Sequence, residues 1–206
     1  MPLPSKKIFF EDLMFLVYDN VYQPAEDSFL FAENLTANDG DVVVDVGTGC
    51  GLLGIVAAKK ASLVLAVDIN PYAVHCAMEN AKVNHVKSKM FFLQTDLFAA
   101  IKTGKMFDLI LFNAPYLPVD YAEKNSWLEH AWVGGASGRQ VVDRFIYDSP
   151  KYLKRTGRIL LMQSTLSNVD ETLRRFENRG LNATVVAKCD LPFFESIVLV
   201  EAEWLS

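Results

Sequence analysis

The stretch Asp45-Val46-Gly47-Thr48-Gly49-Cys50-Gly51-Leu52-Leu53-Gly54 decides the fold. It closes Val42–Val46, a continuous β-branched run of the kind a strand buried on both faces requires, and opens Leu52–Lys60, which reads as a helix. Glycines between strand and helix let the turn use positive φ and bring backbone close to a ligand at a helix N-terminus. The next apolar strand, Leu63–Val67, ends at Asp68, about twenty residues on and well placed to bind a ribose diol.

Outward from this unit the alternation continues. Pro71–Asn84 reads as helix, and Met90–Thr95 and Phe107–Phe112 as strands. A helix near Val141–Leu153, a strand at Arg158–Met162 and a helix near Val169–Arg179, closed by Gly180, come next. The extended runs Ala183–Ala187 and Ser196–Ala202 end the series, and Lys188–Glu195 between them is too short for a helical crossover. The pattern therefore predicts an α/β, Rossmann-like, mostly parallel seven-stranded sheet with an antiparallel last strand. Upstream, Phe9–Tyr22 is rich in aromatics, and Pro24 to Leu30 reads as a helix start with acids at its positive end. With no repeat and no Gly/Ser linker, residues 1–206 are expected to form a single domain, residues 1–40 supplying an N-terminal segment and helix packed on the ligand site.

Composition narrows the function. With 20 basic and 25 acidic residues the net charge is −5, and no Lys/Arg tract marks a nucleic-acid binder, so a nucleic-acid partner is not expected. Three scattered cysteines suggest neither a disulfide framework nor a metal cluster and point to a reducing, cytoplasmic setting. No apolar run approaches the roughly 18 residues of a membrane span.

Gly49, Gly51 and Gly54 also satisfy the dinucleotide fingerprint G-x-G-x-x-G, so two cofactor classes compete. Asp45 favours S-adenosyl-L-methionine, because its carboxylate is expected to face the ligand's ammonium group and would repel a pyrophosphate. A hydride-transfer dyad is missing: Tyr147 and Lys151 are separated by Pro150, which disturbs the helix that would align them. Directly after the strand ending at Phe112 comes Asn113-Ala114-Pro115-Tyr116, at the same sheet edge as the glycine turn. The lone pair of a planar nitrogen is delocalised, and an acceptor pair that holds its N–H groups fixes it for methyl transfer and stabilises the charge that develops. Asn113 and the following carbonyl offer such a pair, Pro115 stiffens the turn and Tyr116 offers a flat face.

Together these motifs resemble the HemK/PrmC glutamine N5-methyltransferase family, in its short archaeal and eukaryotic branch that modifies translation release factors. The segments that carry the resemblance are Tyr22-Gln23-Pro24-Ala25-Glu26-Asp27-Ser28, Asp45 to Gly51, Asp68-Ile69-Asn70-Pro71, Thr95-Asp96-Leu97 and Trp132-Val133-Gly134-Gly135 through Gly138-Arg139. It implies a class I S-adenosylmethionine-dependent methyltransferase. Ser28, Asp45, Gly47, Asp68, Asp96 and Leu97 would contact the cofactor, Asp68 at the ribose and Asp96 with the Leu97 backbone at the adenine. Gly49, Gly51, Ile69 and Asn113 complete the expected cofactor set. Asn113, with Pro115 and Tyr116, would bind the target amide. Where the family usually carries Asn-Pro-Pro-Tyr, position 114 here is Ala, and looser positioning is expected. The same pattern serves adenine-N6 methyltransferases, and a lysine acceptor is a further alternative.

Leu117 to Arg139 is a long connection of the kind that forms binding loops, and Arg139, Asp143 and Arg144 are candidates to steer a substrate or to make ordinary ion pairs. Met90–Thr95 is predicted to be a sheet edge, apolar and without charge inside Met90-Phe91-Phe92-Leu93, and bare edges recruit other chains. The resemblance supplies a small zinc-binding activator protein as its cover. The alternative is that Ile8–Tyr18 folds back over it.

Overall fold

The computed structural model describes residues 6–118, 127–131, 133–192 and 195–205. Its main sheet has the strand order β5-β4-β3-β6-β7-β9-β8, with β3 Val42–Val46, β4 Leu63–Asp68, β5 Met90–Gln94, β6 Phe107–Asn113, β7 Leu153–Ser164, β8 Leu181–Asp190 and β9 Ser196–Trp204. Every pairing is parallel except those of β9, which runs antiparallel to both β7 and β8. The single antiparallel strand is thus inserted inside the edge. Adjacent residues of β6, Leu109 and Ile110, belong to opposite cores, as the two-residue period of a strand requires. Helices α1 Glu26–Asn34, α2 Leu52–Ala58 and α3 Pro71–Val83 lie on the face of the first core, and α5 Gln140–Asp148 and α6 Val169–Glu177 on the other, with the short α4 Trp127–His130 between them in sequence.

Two elements depart from the sequence reading. Strand β7 begins at Leu153, five residues before the expected start, because Lys154-Arg155-Thr156-Gly157 looks like a turn. Gly157 is needed there: a Cβ would lie 2.8 Å from the Asp108 carbonyl oxygen where β7 crosses β6. The second departure is an N-terminal hairpin, β1 Lys6–Phe10 with β2 Leu13–Val17, turning at Glu11-Asp12 with Glu11 at φ 49°. Its unbroken apolar runs hide an alternation that burial reveals, Leu13, Phe15 and Val17 inward.

The hairpin does not pair with β5, so the alternative fold-back of Ile8–Tyr18 onto that edge is not formed; no described strand lies beyond β5, and Phe91 is exposed. Instead α3 holds the hairpin. Asn84 accepts from Met14 N–H (3.0 Å) and donates to its carbonyl (2.9 Å), and Asn80 does the same for Leu16 (2.8 Å each). The spacing matches, since four helical residues rise about 6 Å and two strand residues about 6.8 Å. Asn80 also donates to the Cys50 carbonyl at 2.8 Å, tying the hairpin to the glycine turn.

That turn is held from inside. Asp45 is buried, and its Oδ2 accepts from the Thr48 hydroxyl (2.6 Å) and from Gly54 N–H (2.9 Å) in the first turn of α2. Burial pushes its carboxyl up to about 7, against the opposing pull of those two hydrogen bonds.

Two outcomes follow. Asn80→Ala strands the Leu16 and Cys50 backbone groups, and should cost about 3 kcal/mol; melting should fall by roughly 6–12 °C. Asp45 has a folded-state pKa above its unfolded value of 3.8, so its contribution to stability is complete below that value and is lost as pH rises through about 7. In cofactor-free protein, Asp45→Asn should therefore melt above the parent at pH 8 and lose that advantage by pH 4. A gap constant with pH would show that Asp45 does not titrate.

Candidate active site

The carboxyl ends of β3, β4 and β6 converge on a cavity of about 260 Å³. Of the residues expected at a site, Ser28, Gly47, Gly49, Asp68, Ile69, Asp96, Leu97, Asn113, Pro115 and Tyr116 all line it. Asp45 and Gly51 lie just behind this lining. Asp45 turns back into the glycine turn as described above. Gly51, at φ 90°, sits against Ala77 of α3, where a Cβ would lie 3.1 Å from that residue's Cα.

The turn still discriminates between ligands, for a different reason. Thr48 N–H donates to the Val67 carbonyl (2.9 Å), Gly49 N–H to Asp68 Oδ2 (3.0 Å) and Gly51 N–H to the Thr48 carbonyl (2.8 Å). These amides are spent within the protein, and the α2 terminus, where a phosphate would sit, already holds the Asp45 carboxylate on Gly54 N–H. At this turn a pyrophosphate loses the Gly49 and Gly54 donors to the two acids. Gly49 faces open space, with the Gly47 carbonyl oxygen, 4.0 Å away, the nearest atom to a Cβ built there, so only glycine leaves room for a ligand against the backbone.

Asp68 keeps a lone pair on each oxygen for hydroxyls after accepting from Gly49 and from Asn70 N–H (2.9 Å); burial raises its pKa, while its backbone donors lower it. Asp96 forms an ion pair with Arg144 at 2.7 Å on the cavity rim. Leu97 holds a left-handed φ of 49°, a conformation that costs on the order of 1–3 kcal/mol and concentrates at ligand sites. Arg139, a candidate for steering, is buried and points away from the cavity, whereas Arg144 lines it. Trp132 lies outside the described residues.

The largest surprise is Asp27, which reads in sequence as a helix-dipole acid. It is buried, and its carboxylate accepts from Tyr22 Oη (3.2 Å), Ser28 N–H (2.6 Å) and Oγ (3.1 Å) on one oxygen, and from Asn113 Nδ2 (3.0 Å) and Tyr116 Oη (3.2 Å) on the other. Asn113 Nδ2 also reaches Ser28 Oγ at 3.2 Å. Because an ionised carboxylate only accepts, the Asn113 amino group must face Asp27 and its carbonyl oxygen must face the other way. That oxygen, Oδ1, is buried with no hydrogen-bond partner. Burial, then the Asp27 charge, raises the pKa of both Tyr22 and Tyr116, so the phenols act as donors and not as bases. Ala114, where looser positioning was expected, donates its N–H to the Met162 carbonyl at 3.4 Å, a bond proline cannot make.

Residues 23–186 match the family model described as the methyltransferase small domain. A Methanocaldococcus jannaschii protein named as an N5-glutamine methyltransferase is 44% identical over 92% of this chain and 95% of its own length. A human protein named methyltransferase HEMK2 is 33% identical, with 81% of this chain and 82% of its own length covered. Among solved structures, the E. cuniculi Mtq2–Trm112 complex, described as responsible for methylating the eRF1 termination factor, contains a chain with the same fold at a TM-score of 0.70 and 23% identity, over 90% of this chain and 99% of that one. No helix among the described residues is long and apolar enough to cross a membrane. The chain belongs to the methyltransferase small-domain family, among the protein N5-glutamine methyltransferases.

Proposed function

We propose that this protein transfers a methyl group from S-adenosyl-L-methionine to the side-chain amide nitrogen of a glutamine in a protein, a translation release factor. The observation that carries the reading is the buried, unpartnered Asn113 Oδ1 in the cavity wall, a neutral acceptor without a donor. An amide N–H satisfies it, and the adjacent Ala114 carbonyl can take the second. Held on both N–H groups, the acceptor nitrogen is fixed in orientation, and the carbonyl dipoles stabilise positive charge as it forms. Tyr116 packs its ring beside the target while its hydroxyl is anchored on Asp27.

The same wall disfavours a lysine acceptor. Both oxygens of Asp27 are already taken by donors, so the carboxylate beside Asn113 is not left for an ammonium or to accept its proton. S-adenosylmethionine supplies an electrophilic methyl group when bound. Asp68 would hold its ribose, Ile69, Asp96 and the Leu97 backbone its adenine, and Ser28 with the turn at Gly47 and Gly49 the remainder. The reading also includes a small zinc-binding activator at β5. The exposed Phe91 on an unpaired edge supports it, as does the pairing of the E. cuniculi relative with Trm112.

Labelled S-adenosylmethionine and a recombinant eRF1-type termination factor test the reading. Label should appear on a glutamine side chain; label recovered in nucleic acid, or on lysine, would overturn the acceptor assignment. Asn113→Ala should lower turnover by on the order of 10²-fold with little change in cofactor affinity. Asp27→Asn should act in the same direction by releasing the Asn113 amino group. Cofactor at about 100 times its Kd should add about 2.7 kcal/mol of stability; that is a rise of roughly 5–11 °C in melting temperature. NAD should give none.

A further inference from the structure

The turn that carries Asn113 and Tyr116 is pressed from one side by residues 133–139, and a single buried side chain fixes that segment. Val133 bridges Leu117, and Gly134 N–H donates to the Leu117 carbonyl at 3.0 Å. Within the segment, Gly138 N–H bonds to the Gly135 carbonyl (2.9 Å) and Gln140 N–H to the Gly134 carbonyl (2.9 Å), which makes a tight loop. Gly138 has φ 69°, and a Cβ there would lie 2.3 Å from the carbonyl oxygen of Tyr116. The loop backbone is therefore in van der Waals contact with the backbone of the acceptor-site tyrosine.

Arg139 ends this loop and begins α5. Its guanidinium is buried. Nη1 donates to the carbonyls of Ser167 and Asn168 (2.7 Å for the latter) and to Thr172 Oγ1 (3.0 Å), and Nη2 pairs with Asp143 at 2.7 Å. Ser167, Asn168 and Thr172 lie at the junction of β7 with α6, and β7 is the strand that sits beside Asn113, with Met162 directly opposite it. Arg139 thus ties the loop beside the acceptor turn to the segment that leads from β7 into α6. A planar guanidinium presents five N–H donors in a rigid fork that reaches acceptors on both sides, whereas a lysine ammonium has three on one point-like group and cannot reproduce that spread.

We propose that Arg139 is a positioning residue for methyl transfer, acting through the Gly134–Gly138 loop to set the Tyr116 backbone and with it the Asn113 acceptor. The proposal rests on the methyltransferase reading above. It differs from a purely structural role in predicting loss of turnover without loss of cofactor binding. Near the reacting atoms, misplacement by about 1 Å costs on the order of 10²-fold in rate.

Arg139→Lys and Gly138→Ala are compared with Gly40→Ala as control. Gly40 has a left-handed φ of 89° but nothing within 4 Å of a Cβ, so it isolates the conformational penalty from the clash. Assays use labelled S-adenosylmethionine and the eRF1-type factor, well below the melting temperature of every variant. Gly138→Ala should lower kcat by on the order of 10–100-fold, Arg139→Lys by about 10-fold, and Gly40→Ala not at all. The KM for the acceptor protein and the calorimetric Kd for the cofactor should both stay within about threefold. A fall in kcat matched by the control, or accompanied by an equal loss of cofactor affinity, would overturn the proposal. Should the parent protein not methylate this factor, the functional reading fails separately, and hydrogen exchange then decides the positioning role. Faster exchange confined to residues 113–118 in Arg139→Lys and Gly138→Ala, with cofactor Kd unchanged, supports it; unchanged exchange overturns it.

Discussion

A carboxylate taken out of water must find donors for both oxygens, and Asp27 finds them on two distant parts of the chain. Tyr22 and Ser28 come from the N-terminal segment, and Asn113 and Tyr116 from the turn after the central strand β6. One buried charge thereby draws the N-terminal helix over the cavity and decides which way the Asn113 amide points. Were Asp27 neutral and able to donate, either orientation of that amide would be satisfied. The acceptor oxygen would then lose its definition.

A second pair of acids governs the cofactor side. In a phosphate-binding turn the strand-to-helix amides are left free and the helix terminus attracts an anion. Here Asp45 fills the α2 terminus from inside by taking Gly54 N–H, and Asp68 draws Gly49 N–H to itself. The glycine spacing fits both kinds of ligand; these two hydrogen bonds remove donors that a phosphate would use.

The main sheet was legible because buried parallel strands must be written as unbroken apolar runs, and Val42–Val46 and Phe107–Phe112 are such runs. The hairpin at Lys6–Val17 was not, because β2 is apolar throughout, β1 shows no alternation, and the turn uses Glu11 at positive φ where glycine or asparagine would have announced it. Nor were the partners of that hairpin visible, since Asn80 and Asn84 pair with it across more than sixty residues of sequence. Most of the residues that line the cavity were legible from their place at strand ends. Asp27 was missed because an acid in the first turn of a helix already has a sufficient local explanation. Only its burial and its long-range donors show that the dipole is not what it serves.

Ala114 shows how one substitution exchanges one kind of rigidity for another. Proline at this position would fix φ but would have no N–H. Alanine leaves φ free, yet it extends the β6–β7 ladder by one bond, Ala114 N–H to the Met162 carbonyl, and its side chain is buried against neighbours. The bond is long at 3.4 Å, so by itself it restrains weakly. It does not act by itself: Pro115 follows, the Asn113 amino group is clamped by Asp27 and Ser28, and the loop at Gly138 closes on the Tyr116 carbonyl. Four restraints from different elements hold a four-residue turn, so losing the stiffness of one proline removes a redundant constraint, and the free carbonyl that an amide acceptor needs is supplied by any residue at position 114.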